Sequence, residues 1–132
     1  MYRKDLITAE IEKLAQVLAK IIGLKTELKL KEAEDLFNET IISSFGLDSS
    51  LLLESDNEGF INWLKKSNHN TEKLNALTDF IYSELDFENN PISSTLCAQK
   101  LNLIYQSLID DHQIVHLINL GRQKMIQQYL SN

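Results

Sequence analysis

Along residues 5–23 the apolar side chains Ile7, Ile11, Leu14, Leu18 and Ile21 recur at steps of three and four. Glu10, Glu12, Lys13, Gln16 and Lys20 fill the rest of the turn. At about 100° per residue this spacing draws one narrow stripe, the mark of an amphipathic helix. Gly23 stands where a left-handed helix end is expected. A second helix is expected over residues 27–45, with Leu30, Ala33, Phe37, Ile41 and Ser44 inward, Phe45 at the margin and Gly46 as terminator. So short a link should fold the two back as an antiparallel hairpin.

Gly46-Leu-Asp-Ser-Ser breaks the period, and Leu51, Leu52 and Leu53 follow as a run too brief to assign by spacing. One helical turn begun by Asp48 would account for it. Three consecutive leucines cannot share one side of a turn. The run therefore either plugs the core between hairpins or offers a contact for self-association. Ser55-Asp-Asn-Glu58 has capping-box spacing and opens a third helix to about Lys66, with Phe60, Ile61 and Leu64 inward and Trp63 over a seam. Asn70 or Thr71 caps a fourth helix carrying Leu74, Leu77, Ile81 and Leu85, and Asn89, Asn90 and Pro91 end it.

A fifth helix is expected from Ser93 or Ser94, striped by Cys97, Leu101, Ile104 and Leu108 and flanked by Tyr105. Asp110-Asp111-His112 reads as a break, with Asp111 capping a sixth helix. Ile114, Leu117, Ile118, Gly121, Met125 and Tyr129 form that helix's inner face, widened by Val115 and Ile126. One long helix across the break is the competing reading, since no proline intervenes. Glycine costs a helix interior about 1 kcal/mol against alanine, so Gly121 reads as a close approach to a neighbouring helix.

The pattern predicts an all-α fold: about six helices as antiparallel hairpins, in a tetratricopeptide-like right-handed array or an irregular bundle, with residues 1–132 as a single helical domain. Composition agrees. One proline and four glycines suit long helices, and 43% hydrophobic with 24% charged residues suits a globular chain. The net charge of −6 is uneven: residues 35–95 hold eleven acidic and three basic side chains, while each flank is near neutral. An acidic middle argues against nucleic-acid binding, which needs clustered cations. Cys97 is the only cysteine, so no intramolecular disulfide can form. No leader pattern and no membrane-length apolar run is present, and the cytoplasm is the expected compartment.

Three successive hairpins resemble tetratricopeptide-type repeats, and residues 98–130 have about the length of one unit. Leu101 can stand for the repeat's large first-helix residue, while its Gly-x-x-Tyr and closing proline are missing. More specifically, the chain resembles a family of uncharacterised bacterial helical proteins. The likeness lies in IEKLAQVLAKIIGL (11–24), KEAEDLF (31–37) and the GLDS-LLL segment (46–53), and it covers roughly the first 55 residues. This resemblance implies a tetratricopeptide-like fold and brings no catalytic or binding residues.

Candidate chemistry is sparse. His112 and His116 would share a helical face at a spacing that can hold a metal, beside Asp110 and Asp111. The glutamate of a metalloprotease helix is missing between them. No nucleophile elbow or phosphate loop occurs, and Cys97 lies on an apolar line as a buried thiol would. Trp63, Tyr82, Tyr105 and Tyr129 could line a groove for a peptide or helix. The expected function is a helical scaffold for protein–protein interaction or self-association, homodimers included. It is expected to have no enzymatic activity, cofactor, metal, nucleic-acid or membrane partner. Leu51, Leu52, Leu53, Trp63 and Tyr105 are its candidate contact residues. The alternative is a small-ligand or metal-binding bundle built on His112 and His116.

Overall fold

The structure, a computed structural model, describes residues 2–131, with side-chain surroundings given from residue 4. It comprises two compact units, Met1–Asp48 and Ser49–Asn132. The described residues form seven helices and no strand, so the fold is all-α. None of these helices is long and apolar enough to cross a membrane.

The first unit is a pair of packed helices, α1 (Tyr2–Thr26) and α2 (Leu30–Phe45). Leu14 and Ile21 of the expected stripe are buried, and Ile7, Ile11 and Leu18 half-buried. Gly23 does not end α1. The helix runs on to Thr26 and stops where the Lys29 N–H bonds the Leu24 carbonyl at 2.8 Å, with Leu28 left-handed at φ +63°. A leucine thus takes the position usually given to glycine. Residues 27–29 are consumed in that turn, so α2 starts later than expected and Leu30 is exposed. Ala33, Phe37, Ile41 and Phe45 are buried, and buried Thr40 donates its hydroxyl to the Leu36 carbonyl at 2.7 Å. Gly46 ends α2 as expected, at φ +69°.

The second unit is built on α6 (Pro91–Asp110). Against it pack α3 (Ser49–Leu53), α4 (Asn57–Ser67), α5 (Thr71–Ser83) and α7 (Leu117–Ser131). The leucine run forms the short α3, with Leu52 buried and Leu51 and Leu53 half-buried. Asp56, not Ser55, caps α4: its carboxylate accepts from the Gly59 N–H at 2.7 Å, while the Ser55 hydroxyl bonds the Leu51 carbonyl. Asn70 caps α5 by accepting from the Lys73 N–H at 2.8 Å, and Leu74, Leu77 and Ile81 are buried as expected. α6 opens at Pro91 rather than at Ser93 or Ser94, because proline lacks only an N–H that a first turn leaves unpaired anyway.

The break near residue 111 is real, and the single long helix is not formed. The Asp111 and His112 N–H groups both reach the Ser107 carbonyl (2.8 and 3.3 Å), Ile114 bonds back to Leu108 at 2.9 Å, and Gln113 is left-handed at φ +57°. Asp111 therefore closes the end of α6 instead of capping the next helix, and α7 begins only at Leu117.

Candidate functional site

The last helix departs most from its pattern. The residues it buries are Asn119, Gln123 and Ile126. Asn119 is 8% and Gln123 6% exposed, whereas Leu117 is 87% and Ile118 68% exposed, with Leu120, Met125 and Tyr129 also outward. Gly121 is exposed, and a Cβ added there would meet nothing within 4 Å, so the expected close helix approach is not made. At about 100° per residue, Ile118, Met125 and Tyr129 form one line, and Leu117 and Gly121 lie beside it, away from the buried arc.

Polar partners on α5 and α6 explain this orientation. The Asn119 amide donates to Asn75 Oδ1 at 2.7 Å, and the Gln123 amide to Asn102 Oδ1 at 3.1 Å and Gln106 Oε1 at 3.4 Å. Gln106 in turn donates to the Asp110 carboxylate at 3.1 Å. Arg122 pairs with Asp79 at 2.6 Å and lies 4.3 Å over the Tyr82 ring. Burial works against the Arg122 cation, but the hydrogen bond and charge of Asp79 outweigh it and hold its pKa above the usual value. At the helix's far end Tyr129 lies 3.6 Å from Phe87 between ring centroids, and the Tyr82 hydroxyl donates to Met125 Sδ at 3.7 Å. A neutral side-chain hydrogen bond contributes about 1 kcal/mol net, against roughly 1.5–3 kcal/mol for a fully buried isoleucine or leucine. This seam is specific in geometry and modest in energy.

Beneath it lies Tyr105 of α6, 1% exposed, whose hydroxyl is buried without a partner at hydrogen-bonding geometry. Burial pushes its pKa up to about 12, with the nearby Arg122 cation opposing. Also on α6, burial raises the Cys97 thiol to about 11, the nearby Glu84 adding to the rise and Lys100 opposing it. That thiol is inert at neutral pH, as its place on an apolar line indicates. Lys100, one helical turn on, is buried as a residue, and desolvation lowers its pKa despite Cys97 and Asp56.

The residues singled out from the sequence are not gathered into one surface. Leu52 and Tyr105 are enclosed by the second unit, while Leu51 and Leu53 are half-buried beside Leu52. Trp63 is half-buried against Phe60 (5.4 Å) and His69 (6.1 Å). His112 and His116 lie in the non-helical stretch before α7, so they do not share the helical face expected from their spacing. His112 Nδ1 instead sits 2.8 Å from Thr71 Oγ1. Among the described residues no group of three or more His, Cys, Asp or Glu could hold a metal ion. The polar seam and the outward face of α7 were missed by sequence reasoning. Their one signal was the register of Asn119 and Gln123, four residues apart on a single face.

Fold and seam together define an all-α protein whose helix α7 docks largely through polar side chains. Comparison with known protein families, curated proteins and solved structures finds no match.

Proposed function

We propose that this chain is a helical interaction module that holds another protein or a second copy of itself through the outward face of α7. The observation that carries this reading is the inversion of α7: its amides pack inward while Leu117 and Ile118 stand in solvent, with Met125 part-exposed beside Tyr82. Apolar side chains clustered on one exposed face favour association. In keeping with the resemblance carried by residues 11–53, we read the helix pairs as hairpins of the tetratricopeptide kind, which present such faces for binding. The second reading, a metal or small-ligand bundle on His112 and His116, loses its motive with their helical spacing.

Sedimentation across a dilution series tests self-association. Wild type should gain mass with concentration, and Ile118→Asp should remain monomeric while keeping its helical spectrum. For a different partner, a photo-crosslinker at position 118 should give a discrete adduct that the same group at exposed Glu39 does not. A constant monomer mass together with no site-specific adduct would remove the proposal.

A further inference from the structure

Within the second unit the helices are held to α6 by different means. α5 buries Leu74, Leu77, Phe80 and Ile81, whereas Ile126 is the single apolar residue that α7 buries. The rest of α7's attachment is largely polar, with Asn119 on Asn75, Arg122 on Asp79, and Gln123 on Asn102 and Gln106, joined at its far end by part-exposed contacts of Met125 with Tyr82 and of the Tyr129 ring with Phe87. Water can replace each of the polar bonds once the seam opens. The docked state also leaves the Tyr105 hydroxyl beside Arg122 and Thr78 without a well-formed hydrogen bond, a cost that access to water would relieve. The connection is suited to movement. Residues 113–116 are non-helical, Gln113 is left-handed, and Val115 and His116 are exposed.

We propose that α7 is a detachable strap, which swings off α5 and α6 about residues 113–116 while α3 to α6 stay folded. Release uncovers the polar floor of the α5–α6 pair: Asn75, Asp79, Asn102, Gln106 and the Tyr105 hydroxyl. It regulates access to that floor, whether or not the outward face of α7 has a partner. Elements with little buried apolar surface are the ones that open below the global unfolding free energy.

Native-state hydrogen exchange on the full chain, at several low denaturant concentrations, tests this. Amides of residues 121–126 should exchange at least about tenfold faster than those of residues 101–108. Their rates should rise measurably with denaturant, since undocking exposes surface. Asn119→Ala should speed α7 exchange a further roughly fivefold and leave α6 unchanged. Trypsin provides a second readout: cleavage after Arg122 and Lys124 should long precede cleavage after Lys73 and Lys100. Equal rates in α6 and α7, α7 rates that ignore denaturant, or acceleration of both helices by Asn119→Ala would each overturn the strap.

Discussion

Three side chains of α6 bind the fold to alkaline pH in opposite senses. Cys97 and Tyr105 are both raised by burial, from 9.0 to about 11 and from 10.0 to about 12. The folded state keeps these protons longer than the unfolded state. Their stabilisation is therefore complete below pH 9 and is lost as pH rises through the folded values. Tyr105→Phe removes one of these losses and an unmatched hydroxyl. Its urea midpoint should equal or exceed wild type at pH 8, within about 1 kcal/mol, and exceed it clearly at pH 11. Lys100 acts the other way: its lowered pKa makes the fold gain stability as pH climbs from the folded value toward 10.5. Lys100→Met should stabilise the protein at pH 7, an advantage that shrinks toward pH 10.5. Thiol labelling checks the same neighbourhood. Cys97 should resist maleimide at pH 7.5 and react fully on unfolding.

At the scale of the element, the helix ends separate what patterning reveals from what it hides. Asn70 and Gly46 do what their residue types favour, one capping through its side chain and one turning left-handed. Leu28 and Gln113 make the same left-handed turn against their type, because the chain must reverse there for its neighbours to pack. Leu28 is 81% exposed, so relieving its backbone costs no packing. Leu28→Gly should raise stability by about 1 kcal/mol in urea denaturation. Gly121→Ala should also stabilise, by about 0.5–1 kcal/mol, since the helix gains propensity and the space is open. Had Gly121 faced a neighbouring helix within the chain, the same change would destabilise it.

At the scale of the whole molecule, each unit has its own apolar core and the leucine run belongs to the second. Leu52 is buried where α3 meets α4 and α6, so Leu52→Asp would place a charge inside that unit. It should lose cooperative unfolding or drop the midpoint by about 3 kcal/mol or more. Ile118→Asp, on the exposed line of α7, should leave the midpoint within about 0.5 kcal/mol at dilutions where wild type is monomeric. Thermal melts of the two variants separate a core position from a surface one.

The sequence by itself determined that the protein is helical, where most helices lie, and which sides of α1, α2, α5 and α6 turn inward. Periodic apolar spacing is a local property and needs no partner to be read. The orientation of α7 is different in kind. Its apolar stripe was legible, yet only the packed α5–α6 pair decided that Asn119 and Gln123 face inward, because Asn75, Asp79, Asn102 and Gln106 present polar groups there. An amphipathic helix specifies a stripe. Which side of it meets the protein depends on what the neighbouring surface can satisfy, and that surface exists only once distant segments have come together.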